Sequence, residues 1–512
     1  MRALLKGGAG QLPALDQRFW MLAAVGIGLL MSVLLLLDKP AIYLVAIPGI
    51  AVAFLVLRQP HIGTYLLAVA LPLDVAGNLS SVTGTFNISI AWICTLLTLL
   101  AWIVNVAVQR CAPLLPIEAK TLLIYLAIGL VSLPTALEFD RGVEEIVRVV
   151  QTILFFVMIL NLLKTREQVI LAITLLVTAS VLSFGYALAQ KFILPANIIA
   201  ERGLDLLKPG AVTYGIEMGK VDTQGHEAVA RVTGTTVHAG VLALNCAYML
   251  PFIIVFMRLK SEPVSQTLGW TAVLLTLAAF GTTLARSGFL TLAFTLLMLV
   301  WMRILKVTGL RLGAIMLLIV LGLPFLPDGF IERVLLPSSY MTANSDSLSG
   351  RLEMWAASLQ AIFDNPLTGF GIGNEHGIFD YWRPELRDQL GTVMNTPLQI
   401  AMEVGIFGLV TFTAFVYLMF MRVIRGRRNF RVLGDETMIT LGTGMLVLLM
   451  ALVVSWMSVE FLRAGFKNVW FLLACMVAYH EISGAALAAA DKTETAAPSR
   501  SGPRNERRAV HV

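Results

Sequence analysis

Long apolar runs follow one another along almost the whole chain, and they constrain its fold more than any other feature. Hydrophobic residues make up 57% of the 512 residues and charged residues only 14%, whereas a soluble globular domain has about 25% charged residues. Apolar runs of about 17–25 residues are typical of membrane-spanning helices. They lack the alternation of period two that marks a membrane β-barrel. We therefore predict an all-α polytopic membrane protein.

The apolar runs indicate fourteen spans, and a count of twelve or thirteen stays open because several runs are short. The predicted spans are 20–37, 41–57, 62–77, 87–108, 121–137, 144–163, 168–189, 239–257, 268–283, 288–304, 312–326, 396–420, 437–456 and 467–482. They form one membrane domain over 1–483. From about residue 484 the chain is rich in Ala, Ser, Arg and Pro, and we expect a disordered tail over 484–512.

Basic residues collect on one side of the series of spans. The segment 421–436 contains five arginines, whereas 78–86, on the other side, has no basic residue. Because basic loops remain in the cytoplasm, both termini are expected there. Two long loops, 190–238 and 327–395, are then external, and the second is predicted to contain short helices. The net charge of +6 follows from this topology, so nucleic acid is not an expected partner.

Four arginines are predicted near the external face: Arg148, Arg231, Arg286 and Arg351. An ionisable group within a membrane is a functional-site hypothesis by default, and arginine holds phosphate oxygens in a forked geometry. The alternative is that each arginine extends to the interface or pairs with a nearby glutamate, such as Glu144, Glu145 or Glu353. Arg286 is the hardest to explain in that way, because its short turn has no acidic neighbour.

A lipid diphosphate is a ligand that fits several arginines at this depth, since its head lies at the membrane surface and its tail lies between helices. The outside of a bacterium has no ATP, so bond formation there needs an activated donor. A sugar on a polyprenyl diphosphate is such a donor. Its leaving group is an anion that arginines can stabilise as the bond breaks.

The most informative stretch, 349–409, begins with apolar residues at helical spacing between 351 and 363, which predicts an amphipathic helix. A turn with Gly369, Gly371 and Gly373 follows it. These glycines are interpreted as allowing a sharp turn of the backbone. A long apolar helix then starts near Asn395.

Several segments, in this order, resemble the O-antigen ligase and polysaccharide polymerase superfamily. They are RVTGTTVHAGVLALNCAYMLP (231–251), TTLARSGFLTL (282–292), the stretch from Arg351 to Gly373, and the stretch from Asn395 to Leu409. The resemblance covers about 231–410. It implies a multi-pass glycosyltransferase of the bacterial inner membrane that acts at the periplasmic face. Such an enzyme moves a glycan from undecaprenyl diphosphate to an acceptor hydroxyl, with no metal, cofactor or nucleotide sugar.

The candidate site contains six residues. The donor diphosphate is assigned to Arg231, Arg286 and Arg351, and the catalytic candidates are His376, Asn395 and Glu403. Glu403 is interpreted either as the partner of an arginine or as a group that binds the acceptor.

One position departs from the family pattern. The family usually has a histidine immediately before Asn395, and this chain has Met394, which cannot accept a proton. His376, Glu375 or Asp380 could supply a base instead. Alternatively, the reaction needs little help from a base, because a diphosphate leaves readily.

The acceptor separates two enzyme hypotheses. A polymerase for an exported polysaccharide, which we favour, adds the glycan to another lipid-linked unit, and a chain-length regulator would be a further partner. A ligase transfers the glycan to lipid A core or to protein. Membrane lipids surround either enzyme. The competing class is a lipid-linked oligosaccharide flippase, but transporters tend to show internal repeats, and no convincing repeat relates the two halves.

The predicted topology can be tested with single cysteines in a variant that lacks the native cysteines. A cysteine at Gln224 should react with a membrane-impermeant thiol reagent in intact spheroplasts. A cysteine at Arg428 should react only after permeabilisation, because basic segments stay inside. The opposite pattern would invert the topology and remove the external site.

Overall fold

The computed structural model describes residues 40–73, 89–110, 112–192, 216–218, 230–236, 238–260, 262–283, 285–305, 348–375, 377, 393–459, 461 and 466–496. Its elements within these ranges, in chain order, are α1 (Pro40–Arg58), α2 (His61–Ala70), α3 (Ile90–Gln109), α4 (Ile117–Ser132), α5 (Phe139–Leu162), α6 (Arg166–Phe192), β1 (Ile216–Met218), β2 (Ala230–Val232), α7 (Ala239–Leu259), α8 (Pro263–Thr283), α9 (Arg286–Trp301), α10 (Leu348–Asp364), α11 (Thr396–Val432), α12 (Glu436–Ser455) and α13 (Lys467–Ala496). Short 3-10 turns follow α2 and α4. Apart from the small antiparallel pair β1–β2, the described chain is helical, which confirms the predicted all-α class.

Eight of these helices are long and apolar enough to cross a membrane: α3, α4 with its 3-10 turn, α6, α7, α8, α11, α12 and α13. Shorter apolar stretches occur in α1, α2 and α9. The prediction of a polytopic membrane protein is therefore confirmed. Two predicted spans, 20–37 and 312–326, lie outside the described residues, so the total of fourteen stays a prediction.

Helix α7 is the most deeply buried of these eight helices, because 83% of its apolar 18-residue stretch lies inside the protein. It packs against α8, α9 and α12, while α11 packs against α4, α10, α12 and α13. Small residues allow close approach, as where Gly288 of α9 lies against Ala243 of α7. Polar bonds join the helices as well, and the hydroxyls of Tyr248 and Ser455 lie 2.6 Å apart.

Two helices are longer than predicted. Helix α11 continues to Val432 and α13 to Ala496, so most of the expected loop at 421–436 is helical, and the expected disordered tail does not begin at 484. The alanine-rich sequence that we interpreted as disorder is also a strong helix former. Residues 497–512 lie outside the described residues.

An ionic cluster holds the extended part of α11 against its neighbours. Arg422 lies 2.6 Å from the carboxylate of Glu118 on α4 and 2.7 Å from that of Glu481 on α13. Glu118 is fully buried. A charge of this kind is costly to bury without a partner, so the arginine ties three helices together at this end.

The segment between α10 and α11 forms a tight turn over 366–373, which we call the glycine turn. Gly369, Gly371 and Gly373 have φ values of 65°, 93° and 81°, a region that residues with a side chain rarely adopt. A Cβ atom at Gly371 would lie 2.4 Å from the Cα atom of Ala136. The interpretation of these glycines as turn-forming residues is confirmed.

The glycine turn fills a break in α11 at Gly405, whose φ and ψ are 72° and −171°. The N–H of Phe370 donates to the carbonyl of Met402 at 3.0 Å, and the N–H of Ile406 donates to the carbonyl of Pro366 at 2.8 Å. These bonds satisfy backbone groups that the break removes from the helical pattern. The turn and the broken helix therefore form one unit.

Replacing Gly405 by alanine should destabilise this unit strongly. An ideal Cβ at Gly405 lies 2.1 Å from the carbonyl oxygen of Leu367, in addition to the cost of a backbone conformation that is essentially confined to glycine, which is about 1–3 kcal/mol. Gly434 is the control for a positive φ without a steric contact, since its φ is also 72° and its Cβ would meet no atom within 4 Å. Thermal unfolding in detergent, followed by tryptophan fluorescence, should show a clearly larger loss for Gly405→Ala than for Gly434→Ala. Equal losses would contradict the packing of the turn into the break.

Candidate active site

The six predicted site residues differ in how far the structure describes them. Asn395 and Glu403 are described in full. Arg231 lies in β2, Arg286 is the first residue of α9 and Arg351 lies near the start of α10, but their side chains are outside the described part. His376 and Asp380 also lie outside the described residues. The convergence of the three arginines on one diphosphate stays a prediction.

Glu403 lies in α11, about two turns from its start and two residues before the break. Its side chain is only 2% exposed. Its Oε1 accepts a hydrogen bond of 3.2 Å from the backbone N–H of Glu375, just after the glycine turn. A carboxylate on the helix thus holds the chain that follows the glycine turn.

Glu375 is fully buried and connects that chain to the start of α11. Its carboxylate accepts a hydrogen bond from the backbone N–H of Val393. The indole N–H of Trp355, on α10, donates to the carbonyl of the same residue at 3.2 Å. Two side chains from different segments therefore fix Val393, which is next to the position of the missing histidine.

Met394 occupies that position with a left-handed backbone, φ 49°, and the residue is 38% exposed. Asparagine, aspartate and histidine adopt this conformation more readily than other residues with a side chain. A histidine at 394 would therefore suit the backbone and would be accessible to a substrate. The methionine leaves the position accessible but without a group that accepts a proton.

Asn395 begins α11 as its N-cap. Its Oδ1 accepts from the N–H of Leu398 at 3.1 Å, and the side chain is 2% exposed. The next residue, Thr396, donates its hydroxyl to the carbonyl of Val459 and accepts from the N–H of Phe461. The helix start is fixed by these bonds, which give Asn395 a structural role. Its catalytic role stays a prediction.

The glycine turn also makes hydrogen bonds to the last residue of α4 and to the residue before α5. The N–H of Ile372 donates to the hydroxyl of Ser132 at 3.2 Å, and the Oδ1 of Asn374 accepts from the N–H of Glu138 at 2.6 Å. Asn374 is fully buried. Asn374 directly follows the last glycine of the turn, but no motif in the sequence marks it as part of the site.

Arg148 pairs with Glu145 one turn earlier on α5, with 2.5 Å between Nη1 and Oε2. Pairing with a nearby glutamate was the alternative left open for this arginine, and it is the arrangement observed. Glu145 is buried and lies against the glycine turn, because a Cβ at Gly373 would be 2.9 Å from the Cβ of Glu145. The pair therefore belongs to the wall of the candidate site.

The contribution of the cap to stability can be measured with two variants. Asn395→Ser keeps an uncharged acceptor for the N–H of Leu398, so its unfolding midpoint should stay close to that of the unaltered protein. Asn395→Ala removes the acceptor and should cost about 1 kcal/mol. Both are measured by thermal unfolding in detergent. An equal loss in the two variants would show that the amide, rather than the cap, holds the helix start.

A comparison with protein families matches one continuous part of the chain. Residues 270–413 match the family model described as O-antigen ligase. The matched segment includes α9, α10, the glycine turn and the first half of α11. It thus contains Arg286, Arg351, Asn395 and Glu403. A search of curated proteins gives no match. The predicted resemblance to the O-antigen ligase and polysaccharide polymerase superfamily is thus confirmed over residues 270–413.

Proposed function

We propose that this protein is a glycosyltransferase that moves a glycan from undecaprenyl diphosphate to an acceptor hydroxyl at the periplasmic face of the bacterial inner membrane. The family match carries this proposal, because residues 270–413 include the junction at which α10, the glycine turn and the start of α11 interlock. Reactions are accelerated when groups are held in a fixed geometry. A junction bonded in this way holds the residues around such a site in fixed positions.

In this proposal the acceptor oxygen attacks the anomeric carbon of the donor sugar. The new carbon–oxygen bond forms as the bond from that carbon to the diphosphate oxygen breaks. Undecaprenyl diphosphate leaves as an anion that Arg231, Arg286 and Arg351 stabilise, and the proton of the acceptor hydroxyl passes to a base. No metal ion or nucleotide takes part.

His376 is the proposed base. It directly follows Glu375, whose backbone N–H and carboxylate are bonded to Glu403 and Val393. These bonds hold the chain before His376 close to residue 394. Glu375 itself is fully buried, and we assign it a positioning role.

We infer that the acceptor is a second lipid-linked glycan, so the enzyme polymerises an exported polysaccharide. The description of the matched family, O-antigen ligase, makes ligation to lipid A core or to protein the second candidate. Purified protein should be given lipid-linked repeat units and lipid A core in one mixture. Ladders of lipid-linked glycan would support a polymerase, and glycan on lipid A core would support a ligase.

Arg286→Ala and Arg351→Ala should each abolish product without lowering the amount of protein in the membrane. Lysine at either position should restore only part of the activity, because it keeps the charge but loses the forked geometry. Arg425→Ala is the control, since Arg425 is exposed on the far half of α11. Product is measured as glycan ladders from isolated membranes. Full activity in both alanine variants would remove these arginines from the donor site.

The relocated base can be tested with His376→Gln and Met394→His across about pH 5.5–8, the range in which histidine titrates. A positioned base contributes about 10²–10⁴-fold in rate. His376→Gln should lose activity by that factor and lose the rise in rate with pH. Adding Met394→His should restore both. Full activity in His376→Gln with an unchanged pH profile would favour leaving-group stabilisation alone.

A further inference from the structure

We propose that α10 lies in the membrane interface beside the candidate site, with one row of its apolar side chains among the chains of the phospholipids. The inference identifies a partner, the lipid surface, for a face of the helix to which the proposed reaction gives no role. It does not depend on the proposed function, because it concerns the membrane and not the chemistry.

One face of α10 packs inside the protein. Met354, Ala357 and Ala361 are buried there, in a small apolar cluster that also contains Phe370 and Met402. The three residues of α10 recur every three or four positions, so they share one side of the helix. This face fixes α10 to the glycine turn and to α11.

A second apolar row runs along the outside of α10, and we call it the exposed row. It consists of Leu352, Ala356, Leu359 and Phe363, all of which are exposed. The side chain with the largest exposure is that of Phe363, which is 80% exposed. Because successive residues are about 100° apart around a helix, the exposed row points away from the buried face. A contiguous apolar surface of this kind marks contact with a partner or a membrane.

Polar residues form a third row beside the exposed row. Glu353, Gln360 and Asp364 are exposed and recur at helical spacing. The polar row and the exposed row both run along most of the helix. A helix that entered the membrane steeply would have one polar end and one apolar end. Two parallel rows are typical of a helix that lies in the plane of the interface, with one side in lipid and one side in water.

The apolar surface of α10 leads to a part of α11 that faces the membrane. Leu367 follows Phe363 by four residues, is exposed, and lies against Gly405 at the break in α11. The next residues of α11, Ile406 and Phe407, are 42% and 57% exposed. Helix α11 is one of the eight helices that are long and apolar enough to cross a membrane. The lipid that covers its exposed residues is therefore the partner that we infer for the exposed row.

This contact also fixes the depth of the candidate site. Trp355 is half-buried, on the side of α10 between the buried face and the exposed row. Its indole N–H donates to the carbonyl of Val393 at 3.2 Å, and Met394 is the next residue. A helix held at the membrane surface therefore holds residue 394 near that surface, where the head groups of membrane lipids lie.

Spin labels on single cysteines test the position of α10. The full-length protein, without its native cysteines, is placed in nanodiscs of phosphatidylethanolamine and phosphatidylglycerol. Collisions of each label with oxygen, which concentrates in lipid, are compared with collisions with a water-soluble nickel chelate. The ratio of oxygen to nickel collisions should be several-fold higher for Leu359→Cys and Phe363→Cys than for the matched controls Gln360→Cys and Asp364→Cys, which are the next residues on the same helix.

Two results would overturn the proposal. Labels at Leu359 and Phe363 that collide mainly with the nickel chelate would show that the exposed row faces water. Labels that are shielded from both reagents would show that protein covers the row, either another segment of this chain or a second copy.

A label at Met394→Cys tests the effect on the site. Leu359→Gln combined with Phe363→Gln should raise the nickel collisions of this label, because polar side chains hold the helix less firmly in lipid. Both positions are exposed, so the buried face and the unfolding midpoint should be retained. Asp364→Asn, in the polar row, is the control and should leave the label at its depth. An unchanged depth in the folded double variant would contradict the control of the site by the lipid contact.

Discussion

The break in α11 at Gly405 is the constraint on which the site depends. Within a membrane, backbone groups without partners cost several kcal/mol each, so a helix can be interrupted only where another segment supplies bonds. Pro366 and Phe370 of the glycine turn supply them. Because the turn is bonded to the break, the segment that follows it has a fixed starting point against the helix bundle.

The arrangement of the residues in the candidate site depends on that starting point. Glu403, just before the break, holds the backbone of Glu375, and Glu375 holds Val393. The segment that follows the turn is therefore bonded, through Glu375, to Val393 just before the start of α11. Residues 378–392, between these two residues, lie outside the described part. A site built in this way has buried side chains as its support and an accessible position, Met394, at its edge.

Much of the fold could be predicted from the sequence, because a helix that spans a membrane needs a continuous run of apolar residues. Twelve of the fourteen predicted spans fall on described helices, and the amphipathic pattern at 351–363 corresponds to α10. The ends of α11 and α13 were misplaced, since polar composition does not distinguish a loop from a helix that continues beyond the membrane. The bond between Arg422 and Glu118, which are 304 residues apart, shows why: the partner that stabilises the extension is distant in sequence.

The site was predictable in part. Motif order identified the segments around Arg286, Arg351 and Asn395, and the family match covers them. The roles of Glu375 and Glu145 depend on contacts with Val393 and Gly373 that no local pattern encodes. The pairing of Arg148 with Glu145 could be written down as an alternative, because residues three apart on a helix are neighbours, but only the structure shows that this pair lies beside the glycine turn.

In the proposed function, the protein forms a glycosidic bond and releases a polyprenyl diphosphate. Purified protein in sealed proteoliposomes should be supplied with a glycan on undecaprenyl diphosphate, and the lipid released should be counted against new linkages. We expect one undecaprenyl diphosphate to be released for each new linkage, with no added nucleotide. Movement of the lipid-linked glycan across the membrane with no new linkage and no released lipid would contradict it and identify a transporter.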